Sequence, residues 1–508
     1  MFTRKRKKDS SPSIFDHLRA HIPPEGPGLA EGGETLPDEA DLDGTPWAPG
    51  ARDGVLTHHW GGGADAAEVE RLSAALMDAA AGRSGPEAVA DAAAGLSVVA
   101  LVDELLGRVA SSDVDAERVY ELAYALATTE RRREPVKLGI ALLGLFDAGH
   151  HRDELLVLGR HDEFTLFAMV ALGNGDAGAE DVLWDLARQV AGWGRIHLVE
   201  RLAGSENPRL REWILREGFR NDVMYEYLAG IAAEAGDLAG ALARDTAGAD
   251  DELLYAAGDI LAALTEEGGP VEGMSGYADG ERAAGLFVDH MATRANDLRH
   301  FLALDAVRGY AESAWPDVAA RCAEILGRPL WADLARLGLR AEGSAEFGRA
   351  ARACRILDVP ALDAFLDRLR TADPLDSTVW WYAADEAGRR GETGTVAALA
   401  AELLPLDRIA TGPADEAGTG DAFKPHRCLD HLLPALGGLP GTGAPLVSAA
   451  LASPVVRNRN MAVRTLHAWG EAAWPAGTRD EAAAALAREP DEGVRKRLEA
   501  LLDGRPVD

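Results

Sequence analysis

The sequence predicts an all-α protein built as a solenoid of stacked antiparallel helix pairs, and three observations predict it. From about residue 66 to the C-terminus, apolar residues recur at helical spacing in segments of roughly 10 to 18 residues, joined by short turns containing Gly, Asp, Asn or Pro. No run of alternating apolar and polar residues marks a strand. The chain also repeats itself: ALDAVRGYAESAWP at 303–316 aligns without a gap to AVRTLHAWGEAAWP at 462–475, matching Ala303 with Ala462, Glu312 with Glu471, Trp315 with Trp474 and Pro316 with Pro475. The offset of 159 residues is about four periods of a 40-residue helix pair. A helix pattern of Arg, an apolar residue at i+3 and Leu at i+7 recurs as Arg195, Leu198, Leu202; as Arg459, Ala462, Leu466; and as Arg495, Leu498, Leu502. One helix pair cannot cover its own apolar faces, so pairs stack.

The N-terminus opens with Arg4, Lys5, Arg6, Lys7 and Lys8. Such a run reads as a solvated tail or as a tether to an anionic surface, this acidic chain's own included. Residues 22–63 are rich in Pro and Gly and read as an extended arm that packs through Trp47, Val55, Leu56 and Trp60. His58 and His59 are neighbours whose side chains diverge in an extended segment, and a metal would need further ligands from far away. The expected organisation is therefore tail and arm at 1–65, helical repeats at 66–404, a linker at 405–425 and C-terminal repeats at 426–508.

Within the last part, KPHRCLDHLL at 424–433 places His426, Cys428 and His431 close together. The segment predicts a helix, with Pro425 in its first turn and Leu429, Leu432, Leu433 and Leu436 as its buried stripe. His426 and His431 then point about 140° apart. A closed zinc site needs four ligands, and Cys322 and Cys354 stand alone in the chain. The expectation is a buried thiol flanked by two half-exposed imidazoles, with no metal.

Composition excludes several classes of function. With 508 residues and 47% hydrophobic content, the chain can build a large core. Three cysteines without framework spacing fit a reducing compartment, and the basic N-terminus lacks the apolar stretch of a secretory signal, so a cytoplasmic location is expected. AAAGLSVVALV at 92–102 is about half the length needed to cross a bilayer. A formal charge of −31 opposes binding to nucleic acid and anionic lipid.

SPVVRNRNMAVRTLHAW at 453–469 and DEGVRKRLEALL at 491–502 resemble HEAT repeats, whose second helix commonly carries an arginine near its start. GARDGVLTHH at 50–59, GWGRIHLVERL at 192–202 and LASPVVRNRNMAV at 451–463 together resemble a group of bacterial HEAT-repeat proteins, some of which bear the name limonene hydroxylase. The resemblance runs from about residue 45 to 475, strongest in the C-terminal repeats. It implies a HEAT-like α-solenoid and, through that name, an oxygen-activating monoterpene hydroxylase. It brings no catalytic motif.

Hydroxylation of an unactivated carbon needs a cofactor that activates oxygen, and no local signature for one is present. Cys428 lacks the glycine-bearing loop of a haem thiolate, Glu-x-x-His is absent, and no histidine precedes Glu as in deoxyhypusine-type HEAT hydroxylases. Asp297 to His300 and His197 to Glu200 come nearest, one with the wrong carboxylate and one reversed. GNGDAG at 173–178 follows a helical segment and reads as a helix stop, not a dinucleotide loop. No cofactor and no catalytic residue is expected.

The arginines remain. Arg195 and Arg459 fall inside apolar stripes, where an arginine lays its stem across its neighbours and pairs its head with a carboxylate or a turn carbonyl. Two surfaces are candidates for partner binding: Arg211, Trp213, Arg216, Arg220, Tyr225 and Tyr227, which are residue types enriched at binding hot spots, and a polar face of Arg457, Asn458 and Asn460, with Arg464 beside it. The expected function is a helical-repeat binding or scaffold protein recognising another protein. The hydroxylase and a DNA-binding HEAT-like protein are the alternatives.

Overall fold

A computed structural model describes residues 12–39, 47–59, 65–174, 178–244, 250–269 and 271–507. The basic run at 4–8, Trp60 and residues 175–177 of the GNGDAG turn lie outside the described residues. The protein is 69% helical, and the described residues form 29 α-helices and no strand. The only extended pairing among them is an isolated bridge between Glu416 and Val455.

Aspartates start many of these helices. Asp65, Asp115, Asp250, Asp297, Asp376 and Asp491 each accept a hydrogen bond from the backbone amides of the first turn. A cap of this kind contributes about 1 kcal/mol, and it uses part of the large acidic excess to satisfy amides that otherwise have no partner.

The chain divides into two compact units, Met1–Gly327 and Arg328–Asp508. In the first, Arg133–Leu143, Asp162–Gly173, Trp193–Leu202, Glu226–Ala235, Asp251–Leu264 and Leu298–Ala314 each pack on the next, forming one continuous layer. In the second, Ser377–Arg390, Lys424–Leu436, Val456–Trp469 and Glu492–Leu502 do the same. Helices between them in sequence pack against this layer, so each helix covers the stripe its neighbours expose. This is a solenoid-like all-α fold.

The recurring arginine has one geometry. Arg195 Nε donates to Val190 O at 2.8 Å, Arg459 Nη1 to Ser453 O and Pro454 O at 2.9 Å each, and Arg495 Nη2 to Glu489 O at 2.5 Å and Pro490 O at 3.2 Å. Each guanidinium turns back onto carbonyls five or six residues earlier, tying the turn to the helix that follows it.

Three expectations need correction. Ala51–His59 is helical, not extended, and Trp47 is exposed instead of packed. This helix has no periodic apolar stripe; it is held by contacts described below. His426 is buried instead of half-exposed. The 303–316 and 462–475 stretches also differ in structure. Leu298–Ala314 runs unbroken through Ala311, whereas Val456–Trp469 ends at the aligned Gly470, whose φ of 73° suits glycine.

The 405–425 segment lies against the turn before Val456–Trp469, with Gly412 N donating to Ala452 O at 2.8 Å and Glu416 N to Pro454 O at 3.2 Å.

Candidate functional site

The segment around Arg211 follows a helix, Pro208–Trp213, that widens into a π-helical turn at Ile214–Gly218. Its arginines are engaged within the chain. Arg211 Nε donates to Ala235 O at 2.6 Å, Arg216 pairs with Asp250 at 2.6 Å and Glu212 at 3.2 Å, and Arg220 pairs with Asp259 at 3.0 Å. Arg211 and Arg216 line a concavity of about 530 Å³ with Glu206, Glu212, Asp237 and Arg244. Trp213 packs its ring beside Trp184 and under Arg195, and Tyr225 meets the edge of Phe219. Tyr227 is buried.

In the second unit, Arg457, Asn460, Met461, Arg464 and Arg497 line a concavity of about 600 Å³, with Asp415 and Glu416 on the same rim. Arg457 is half exposed while pairing with Asp430, and Arg497 donates to Asn460 Oδ1 at 3.2 Å. Asn458 does not reach this surface. It is buried, with its amide donating to His426 O at 3.0 Å and Asp430 Oδ1 at 2.7 Å. The polar face therefore consists of Arg457 and Asn460, extended by Arg464 and Arg497.

Cys428 faces the core, its thiol near Lys424 O and Leu375 O, and burial pushes its pKa up to about 12. A thiol so placed is a poor metal ligand.

A third cluster surrounds the Ala51–His59 helix. Lys137 is fully buried, and its ammonium meets Glu163 at 2.6 Å, Asp53 at 2.7 Å and Glu134 at 3.0 Å. Burial opposes a charge on Lys137, but the three carboxylates outweigh it and hold the ammonium protonated. Burial raises the Asp53 pKa against the pull of Lys137. In Glu163 the balance reverses: burial works upward, but Lys137, the Gly50 amide and Arg133 draw its carboxyl below the usual range. Asp53 thus pins the start of the helix to the layer beneath it.

One turn further on, the same helix presents His58 to the Trp193–Leu202 helix. His58 Nε2 lies 3.6 Å from Glu200 Oε1, and His197 Nδ1 lies 3.8 Å from Glu200 Oε2. The His58 ring stands against His197, Trp193 and Tyr227 at centroid distances of 5.6, 5.7 and 5.4 Å. Gly54 permits this approach: a Cβ there would fall 2.2 Å from the indole of Trp193. Trp193 also borders a cavity of about 720 Å³ lined by Arg160, Asp162, Gln189 and Arg195.

No family model matches the chain, and no curated protein matches it. Among solved structures, the chain is similar to a crystal structure of an engineered protein at 17% identity and a TM-score of 0.25, covering 86% of this chain and 98% of that one. A likeness that weak carries no argument about fold or function.

Local motif sets His58, His197 and Glu200 aside, because the pair on the Trp193–Leu202 helix is ordered His before Glu and His58 lies far away in the N-terminal arm. The signal for them was the i, i+3 spacing of His197 and Glu200, which puts both on one helix face.

Proposed function

We propose that this chain is a HEAT-like α-solenoid of the cytoplasm that works as a binding or scaffold protein, with another protein as its partner. The observation that carries this reading is the concavity of Arg457, Asn460, Arg464 and Arg497, where three arginines gather beside Asp415 and Glu416 in a chain of net charge −31. It suits a carboxylate-bearing segment of a partner, because arginine offers forked, charge-assisted donors to such groups. Nucleic acid is disfavoured by the overall field. Arg211, Trp213, Arg216, Arg220 and Tyr225 form the second surface in this reading.

A photo-crosslinking residue at Met461, used in the native host, tests it. The expected result is one recurrent crosslinked protein, lost when Arg464→Glu and Arg497→Glu are combined while the melting temperature stays nearly unchanged. Arg216→Glu with Arg220→Glu tests the second surface; both arginines pair with aspartates of the chain, so a fall in melting temperature would assign them to the fold and remove this surface from the reading. A wild-type protein that captures no partner, but oxidises a terpene when given an electron donor, would overturn the reading in favour of the hydroxylase.

A further inference from the structure

We propose that His58, His197 and Glu200 bind a divalent transition-metal ion of the zinc or ferrous class, which clips the Ala51–His59 helix onto the Trp193–Leu202 helix. One ligand atom from each residue lies within 4.8 Å of the others. An ion held by bonds of about 2.0–2.2 Å sets neighbouring donors roughly 3–4 Å apart. The distances of 3.6 and 3.8 Å from Glu200 to the two imidazoles already fall in that range. A small rotation of the His58 or His197 ring closes the third side.

The donor set selects the ion. Two imidazoles and one carboxylate suit zinc and ferrous iron, whereas magnesium and calcium favour oxygen donors. Three protein ligands leave a coordination position for water or a small ligand. Glu200 keeps 31% of its side chain exposed and His58 17%, so exchange with solvent is possible from that side, while His197 at 6% is enclosed.

A simple ion pair accounts less well for the arrangement. The two imidazoles stack at 16° with centroids 5.6 Å apart, and both address the same carboxylate. A metal ion uses both rings in their neutral form and supplies the positive charge itself. The rings are also held before any ion arrives. Trp193 and Tyr227 flank His58, Gly54 lets its helix settle on the indole, and the Asp53–Lys137 pair fixes the start of that helix. Such preorganisation is what a metal site needs from its surroundings.

The inference does not depend on partner binding, and it is tested on the untagged full chain. After chelator treatment and dialysis, the apo-protein is titrated with ZnCl2, with CoCl2 and, anaerobically, with ferrous ion, using MgCl2 as the control. The expected result is one equivalent of each transition metal and no magnesium, visible d–d bands for cobalt, and slowed amide hydrogen exchange across residues 51–59 on binding. His58→Ala and Glu200→Gln should each weaken cobalt binding at least tenfold, with circular dichroism and apo melting temperature unchanged. Glu200→Gln conserves size at a half-exposed position, so it keeps the test decisive if His58→Ala disturbs the fold. No stoichiometric ion in the wild type, or an ion retained with full affinity in Glu200→Gln, would overturn the proposal.

Discussion

Arg459 and Glu489 form a bidentate ion pair inside the C-terminal unit, with Nε to Oε2 at 2.7 Å and Nη2 to Oε1 at 2.6 Å, both side chains being essentially inaccessible to solvent. Arg459 Nη1 reaches the carbonyls of Ala414, Ser453 and Pro454 as well, so the buried cation is held by backbone oxygens beside its carboxylate. Removing one partner strands the other. Glu489→Ala is expected to lower stability by about 3–5 kcal/mol, whereas Arg459→Met combined with Glu489→Leu recovers much of that loss. Urea denaturation followed by circular dichroism distinguishes the two.

Asp162 gives a pH signature. Burial raises its pKa to about 6 from the ordinary 3.8, although the Gly194 amide, donating at 2.6 Å, pulls the other way. Between these values the folded protein holds a proton that the unfolded chain releases, so this group's contribution to stability falls as pH rises and levels off above about 6. Asp162→Asn cannot titrate. Relative to wild type it should gain up to about 3 kcal/mol between pH 4 and pH 7. An unchanged difference across that range would show that Asp162 ionises normally.

Gly54 has no room for a side chain. Gly54→Ala would drive a methyl group into the Trp193 ring and is expected to cost about 1–3 kcal/mol. Faster amide exchange confined to residues 51–59, together with altered tryptophan fluorescence, would locate the damage in the docking of this helix.

The three cysteines should be silent in the folded protein. Cys322, Cys354 and Cys428 are buried, and burial raises the first two thiols to about 11 and the third to about 12. Since the thiolate is the reactive form, a disulfide reagent at pH 8 should label none of the three in the native state and all three in denaturant. Rapid labelling of the native protein would contradict this burial.

Local sequence was informative wherever one helix could be read by itself. The Leu429, Leu432, Leu433, Leu436 stripe is buried as its spacing requires, and the arginines within apolar stripes end on a carboxylate or on turn carbonyls. Both follow from periodicity and from the penalty on an unpaired buried charge. The surface residues were only partly legible. Arg457 and Asn460 line a concavity, but Asn458 turns inward to the next helix, because the angle between its neighbours and the Lys424–Leu436 helix is set by packing and not by its own helix.

The sequence by itself determined the all-α class, the faces that each helix buries and the recurring arginine at the helix starts, because these depend on residues within one or two turns. Only the tertiary structure decided where the Ala51–His59 helix docks, that Lys137 is enclosed by Asp53, Glu134 and Glu163, and that His58 meets His197 and Glu200. A histidine on a short, weakly apolar helix looks like a solvated side chain when read locally. Its burial is fixed by complementary surfaces far away in the chain, here a glycine at 54 that lets one helix lie against the indole of another, and no local periodicity encodes that fit.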